Sequence, residues 1–321
     1  MRVFLNKKGW TINLVAATIL LLGACSNTDN NGNEPLEEED PSESQVSEVT
    51  VEHLKGEMTF ESVPERIAVL DVQFLDHMLA LEEQPVGTVF AETDNGLPEY
   101  LGDLPGDPEL LGTYLEPNIE AILSIEPDLI IATDAHEDIY DQLESIAPTL
   151  VLDRMEDWQT VQLKFGDILN HPDEAQQIVD EYDQKVSDLK IALDEKIGDQ
   201  TVALIRPRDD MIRLHTTEHR TAAILYEDLG LTPPDMATES TDTSSMISIE
   251  VMPELDADHL FLLQDDTNEQ LTNEFKDTSV WKGLKAVTED HVYEKNTALW
   301  IGYYSPLAID IVLDEIAEEL N

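Results

Sequence analysis

Pro117-Asn118-Ile119-Glu120-Ala121-Ile122-Leu123-Ser124-Ile125-Glu126-Pro127-Asp128-Leu129-Ile130-Ile131 has a counterpart in Ile249-Glu250-Val251-Met252-Pro253-Glu254-Leu255-Asp256-Ala257-Asp258-His259-Leu260-Phe261. Each stretch sets a glutamate at the start of a short helix and an acidic residue just before an apolar strand. Glu120 and Glu250 lie 130 positions apart, so the same helix-to-strand unit occurs once in each half of the chain.

Upstream of the first copy the pattern alternates strand and helix. Val49–Glu52 and Met58–Phe60 read as a hairpin around Lys55-Gly56, Ile67–Asp71 as a strand, Gln73–Glu82 as a helix and Val86–Phe90 as a strand. Downstream of Leu129–Ala132, Asp138–Ile146 reads as a helix and Thr149–Leu152 as a strand. Such β-α repetition predicts a parallel sheet covered by helices. From Trp158 to Ile197 the periodicity is helical, broken only at His171-Pro172 and stopped by Gly198. A helix of ~25 residues would span ~38 Å between two α/β halves. Alternation then resumes: strands at Thr201–Arg206, Ile212–His215 and His259–Leu263, helices at Ala222–Leu229, Ile249–Leu255, Glu269–Phe275 and Pro306–Leu320.

The N-terminus has a different texture. Arg2, Lys7 and Lys8 precede an apolar run from Leu14 to Leu22, and Leu22-Gly23-Ala24 leads to Cys25, the only cysteine. A basic head, a short apolar run and small residues describe an export signal over residues 1–24. The run is short for a ~20-residue spanning helix. With one cysteine the mature chain forms no internal disulfide, and its stability comes from an ordinary core. Residues 26–49 are polar and acidic, without Lys or Arg, and predict a disordered tether reaching on the order of 27 Å.

The whole chain has 18 basic and 69 acidic residues, a formal charge of -51. Removing residues 1–24 leaves 297 residues, room for two domains, at a formal charge of -54. Self-repulsion of that size opposes compactness unless salt screens it, which points to a saline or alkaline medium. Nucleic acid is excluded as a partner, because phosphate binding needs a basic face.

Pro64-Glu65-Arg66-Ile67, Glu116-Pro117-Asn118-Ile119-Glu120, Pro127-Asp128-Leu129-Ile130-Ile131 and Ile146-Ala147-Pro148-Thr149, with Ile224-Leu225-Tyr226-Glu227-Asp228-Leu229-Gly230-Leu231, Ile249-Glu250, Trp281-Lys282-Gly283-Leu284-Lys285-Ala286-Val287 and Leu299-Trp300, resemble the siderophore-binding lipoproteins of bacterial iron ABC importers, within the family that includes vitamin B12 and haem binders. The end of the leader resembles a lipobox, in which Cys25 receives the lipid and becomes the N-terminus. The resemblance implies two α/β lobes with mainly parallel sheets, joined by one long helix, with ligand in the cleft between them. The lobes are expected at 50–157 and 198–321, with the linking helix at 158–197 and the lipidated tether at 25–49. It also implies that Glu120 and Glu250 dock onto arginines of the membrane permease, which works with an ATPase. The protein is then a monomer without catalysis or intrinsic cofactor, anchored on the extracellular face of the cell membrane. Iron(III) arrives as its siderophore chelate.

Six arginines follow the leader, and Arg206, Arg208, Arg213 and Arg220 fall within fifteen residues. Strand ends and helix starts of an α/β lobe face the ligand crevice, and arginine's planar fork suits carboxylate or hydroxamate oxygens. His215 shares the strand face of Arg213 and inclines the ligand toward citrate-type or other carboxylate chelates. Trp300, Tyr303 and Tyr304 precede the last helix, where some family members set an aromatic against the chelate. Tyr114 falls where some hydroxamate binders carry an arginine, which moves the basic duty to the second lobe. Phe74 and Trp158 fit the core better than the cleft. His215-Thr216-Thr217-Glu218-His219 spells a zinc-peptidase motif, but Ile212–His215 reads as strand whereas zinc needs both histidines on one helical face. His53, His77, His136, His171, His259 and His291 are scattered along the chain. The alternatives are a haem or cobalamin binder of the same fold, with His215 or a tyrosine as axial ligand to haem, and a secreted hydrolase. The latter lacks a G-x-S-x-G or catalytic cysteine.

Overall fold

The computed structural model describes residues 48–90 and 96–320. The first lobe contains β1 (Val49–His53), β2 (Gly56–Phe60), β3 (Ile67–Val69), α1 (Val72–Ala80), β4 (Gly87–Phe90), β5 (Glu109–Thr113), α2 (Ile119–Ser124), β6 (Leu129–Thr133), α3 (Tyr140–Glu144) and β7 (Thr149–Leu152). Its main sheet runs β5-β4-β3-β6-β7, parallel throughout. Because β3, β6 and β7 are covered on both sides, they read as unbroken apolar runs, whose side chains enter two cores.

Two helices follow: α4 (Trp158–Leu169) and α5 (Pro172–Lys196). The break has local causes. Asn170 closes α4 in the left-handed conformation at φ 60°, and Pro172 opens α5 at a position where its missing N–H costs nothing. Gly166 permits the sharp return, since a Cβ there would lie 2.5 Å from that of Ala175. The helical span expected to break at His171-Pro172 thus has two parts, and α5 is its long member. Val161, Phe165 and Ile168 of α4 belong to the first-lobe core, whereas Tyr182 and Leu193 of α5 belong to the second.

The second lobe contains β8 (Val202–Arg208), β9 (Met211–His215), α6 (Arg220–Ala223), α7 (Asp235–Thr238), β10 (Ser244–Ile247), α8 (Met252–Leu255), β11 (His259–Gln264), α9 (Glu269–Asp277), α10 (Ser279–Lys282), α11 (Lys285–Thr288), β12 (Val292–Asn296) and α12 (Pro306–Leu320). Single π-helical turns occupy Ile224–Asp228 and Ala298–Gly302. The sheet runs β10-β9-β8-β11-β12, in which β8, β11 and β12 are parallel and β9 and β10 antiparallel. The fold is the expected pair of α/β lobes, but this second sheet is mixed. The reason is the link between β8 and β9: Asp209 and Asp210 both have positive φ, 53° and 57°, the geometry of a two-residue turn that folds a strand straight back.

The repeated sequence unit has one structural meaning. In both lobes the chain builds outward from its first strand on one side, then returns to place β6 or β11 on the other. Asp128, just before β6, accepts the backbone N–H groups of Glu65 (2.8 Å) and Arg66 (2.9 Å), which lead into β3. Asp258, just before β11, accepts the N–H of Thr201 (2.8 Å), which leads into β8. Each carboxylate pins the start of the neighbouring strand. A cation assists in both places: Arg66 donates to the carbonyls of Ile125 and Glu126 at the end of α2, and Lys285 pairs with Asp258.

Candidate functional site

The point where strand order reverses opens a crevice at the carboxyl ends of the strands. In the first lobe this point lies between β3 and β6. Asp71, which follows β3, caps α1 through the N–H of Gln73 (2.7 Å) and receives Nε of Arg154 at 2.7 Å. Burial pushes the Asp71 carboxyl up, against the pull of Arg154. Arg154 stands two residues beyond β7, and its guanidinium lies 5.4 Å from the centre of the Tyr114 ring. Its Nη2 reaches the carbonyl of Gly302 in the second lobe at 3.0 Å, and its own carbonyl accepts Nη1 of Arg220 at 3.1 Å. Arg220 in turn lies 4.5 Å over the Tyr304 ring, and the N–H of Tyr304 donates to Oε1 of Gln73 at 3.3 Å. The lobes therefore meet through arginines.

In the second lobe the reversal lies between β8 and β11, where Arg206 pairs with Asp265 at 2.8 Å. Arg206 and Arg213 are direct partners across the antiparallel β8–β9 pair. Like charges so placed repel, and Nε of each is buried without a hydrogen-bond partner. His215 follows on the same face of β9, 1% exposed and with neither ring nitrogen partnered. His219 packs edge-on against it at 4.3 Å and caps α6 by accepting the N–H of Thr221 (3.2 Å). Arg154, Arg220, His219, His215, Arg213, Arg206 and Arg208 thus form one chain of neighbouring basic side chains leading from the first lobe into the second.

The histidines of this track are uncharged at neutral pH. Burial, with lesser repulsion from His219, Arg213 and Arg206, lowers His215 to about 2. Burial next to Arg220 and Arg213 lowers His219 to about 4. Arg213 and Arg220 are lowered too, mainly by burial and then by neighbouring arginines. Such mutual depression marks positive charge concentrated without enough counter-charge.

Of the expected site residues, Arg206, Arg213, Arg220 and His215 come together, and Tyr114 joins them from the other lobe beneath Arg154. Arg208 lies at the exposed end of β8, 3.3 Å from Asp209, and lines a cavity of about 310 Å³ with Arg206, Thr267, Asn268 and Leu271. Tyr303 is half-buried, its ring 5.5 Å from that of Tyr100 in the first lobe. Trp300 is a correction: it is 1% exposed, packs 4.7 Å from Phe261 and donates Nε1 to Glu315 at 2.6 Å, so it is a wall of the core. Phe74 and Trp158 are core side chains. Arg154 adds a first-lobe arginine to the track, where the expectation had named basic residues of the second lobe only. It obeys the strand-end rule that singled out the others, but it is alone in its part of the sequence.

Glu120, in the first turn of α2, and Glu250, in the turn preceding α8, are both exposed. The zinc-like motif divides as its strand reading requires, with His215 on β9 and His219 at a helix cap. His259 and His291, distant in sequence, stack at 4.4 Å at the opposite ends of the second-lobe strands. Among the described residues no group of three or more His, Cys, Asp or Glu could hold a metal ion, and no helix is long and apolar enough to cross a membrane. The leader, Cys25 and residues 26–47 of the tether lie outside the described residues.

A family model described as periplasmic binding protein matches residues 67–297, which spans both reversal points and the whole basic track. The chain belongs to the periplasmic binding protein family. Relatives in this family include the probable siderophore-binding lipoprotein YfiY of Bacillus subtilis (strain 168), 30% identical over 317 residues, covering 93% of each chain. Another is the Fe(3+)-citrate-binding protein YfmC of the same organism, 31% identical over 308 residues, covering 94% of this chain and 93% of the relative. Among solved structures, Staphylococcus aureus SirA complexed with staphyloferrin B superposes with a TM-score of 0.72 at 26% identity, covering 85% of this chain and 98% of SirA. The periplasmic binding protein relatives thus match nearly end to end.

Proposed function

We propose that this protein is an extracellular, lipid-anchored binding protein that captures a ferric siderophore of citrate, carboxylate or hydroxamate type and hands it to an ABC importer. One observation carries this: in a chain with 69 acidic and 18 basic residues, five of the six arginines beyond the leader gather into a single track that leads from the lobe contact into the second lobe. Arginine forks bind the outward oxygens of an anionic chelate, often two at a time, and a basic cleft in an acidic body focuses such a ligand. The chelate's own donors fill the coordination sphere of iron, so no catalysis and no resident cofactor is required. The siderophore-binding relative YfiY, the Fe(3+)-citrate-binding relative YfmC and the staphyloferrin B complex of SirA support the ligand class.

The rest of the assignment follows from that role. Cys25 carries the lipid, residues 26–48 form the tether that leads into β1, and the body works as a monomer. Glu120 and Glu250, one per lobe, meet arginines of the permease, which its ATPase drives. Titration of intrinsic tryptophan fluorescence with ferric hydroxamate, citrate and catecholate complexes tests the function. Micromolar or tighter binding of at least one is expected, and weaker binding of all three classes would reject it.

A further inference from the structure

Tyr114, half-buried in the loop between β5 and α2, is gripped by residues that follow β6. Its carbonyl receives Nε2–H of His136 at 2.7 Å, and its hydroxyl lies 3.2 Å from Oγ1 of Thr133. The imidazole also meets the Tyr114 ring edge-on, with 5.4 Å between centres. His136 is 3% exposed and is fixed from a second direction, because the backbone N–H of Thr133 donates to its Nδ1 at 3.1 Å. These two partners set the protonation of the ring. A carbonyl only accepts, so Nε2 carries the hydrogen; a backbone N–H only donates, so Nδ1 keeps its lone pair. His136 is therefore neutral, in one tautomer, for as long as both bonds last. A proton added at Nδ1 would face the N–H of Thr133 and break that bond. The titratable groups facing the ring are Tyr114 beyond β5, Asp71 beyond β3 and Asp134 on the turn that carries His136, with Arg154 from beyond β7 drawn to Asp71. Glu137 on the same turn is exposed and paired with Lys55. Burial outweighs the Tyr114 carbonyl and both facing carboxylates and holds His136 below its ordinary value of 6.5.

Resting on the ferric-chelate function above, we propose that His136 is a positioning residue for that ligand: in its neutral form it fixes Tyr114 as the first-lobe wall of the cleft, and its protonation frees Tyr114 and weakens the hold on the chelate. The sign follows from the direction of the shift. The neutral form is complete above pH 6.5 and is lost as pH falls toward the lowered value, so chelate binding is tightest at neutral and alkaline pH. Because linkage is reciprocal, a bound chelate in turn holds the proton off His136 more strongly.

The test is a fluorescence titration with ferric citrate and a neutral ferric tris-hydroxamate between pH 7.5 and 5. Each affinity is set against that of His136→Gln at the same pH, which cancels titration of the chelate itself. Glutamine supplies an acceptor and a donor but takes up no proton, so this variant should bind within about threefold of the unmutated protein at pH 7.5. At pH 5 the unmutated protein should bind at least about fivefold more weakly than His136→Gln. His136→Ala should lose about tenfold at pH 7.5, and nothing further in a Tyr114→Ala background, since it acts through Tyr114. A ratio that stays flat with pH, or a loss that persists undiminished in the Tyr114→Ala background, would overturn the positioning role while leaving chelate binding intact. Failure of every complex at every pH would overturn both. Imidazole nitrogen shifts of the unmutated protein decide the matter even if a variant does not fold. The Nε2–H tautomer is expected, with protonation moved to still lower pH by the diamagnetic gallium(III) form of whichever probe binds; the Nδ1–H tautomer, or a titration that the complex leaves unmoved, would overturn the proposal.

Discussion

Asp128 and Asp258 show how much a single side chain can reveal. An acidic residue before an apolar strand, once per half, is visible in the sequence as a repeat; the structure shows why it recurs, since each carboxylate holds the first residues of the adjacent strand. Asp128→Ala removes two charge-assisted hydrogen bonds and should cost about 1–2 kcal/mol, read as a lower urea midpoint. His77 is the corresponding case for pH. It is fully buried, bonded to Gln162 at 2.8 Å and stacked on Phe165, and burial lowers it to about 4. The unfolded chain takes up its proton near 6.5 while the folded chain does not. Its contribution is therefore complete above pH 6.5 and shrinks as pH falls toward 4, by about 3 kcal/mol. Asp76, raised to about 6 by burial, runs the opposite way and stabilises the fold less as pH rises from about 4 to 6. His77→Gln should flatten the acid side of the stability profile, measured as melting temperature between pH 4 and 7. Arg154, by contrast, was hard to read: its partners Asp71 and Gly302 stand 83 and 148 positions away.

At the scale of elements, the apolar central strands were legible because burial on both faces leaves no polar alternation to confuse the pattern. Three of the four edge strands of the two five-stranded sheets were not. β5, β10 and β12 are half-exposed, short and partly polar, and nothing in their composition separates them from loops. Trp300 was misplaced because the π-helical turn at Ala298–Gly302 rotates it inward to Phe261, away from the loop-like course its neighbours suggest. Helix α12 holds the lobes together in a way no local pattern announces. Asp76 of α1 accepts the N–H groups of Leu307 (2.9 Å) and Ala308 (3.1 Å) at its start, and the hydroxyl of Tyr100 (2.8 Å). Asp76→Ala leaves three buried donors unanswered and should destabilise by about 3 kcal/mol or more. Chemical denaturation should show that loss as an earlier, still cooperative transition.

For the whole molecule, charge is the governing quantity. A body this acidic gains from screening, so raising salt from 0.05 to 1 M should raise its melting temperature, as the Debye length falls to about 3 Å. The same acidity makes the basic track conspicuous, and the track was legible chiefly because four of its arginines are close in sequence. Division of labour is the second expectation at this scale. Glu120→Ala and Glu250→Ala should lower iron uptake by cells without changing the affinity of the purified protein for its chelate, and Cys25→Ser should release the protein to the medium with binding intact. The most direct measurement is a crystal structure of the protein with a bound ferric citrate-type chelate, located by the anomalous signal of iron. Iron between the lobes, held by the chelate's own oxygens, with outward carboxylates on Arg213 and Arg220, is the predicted result. Iron bound directly by protein side chains, or a chelate seated away from this track, would contradict it.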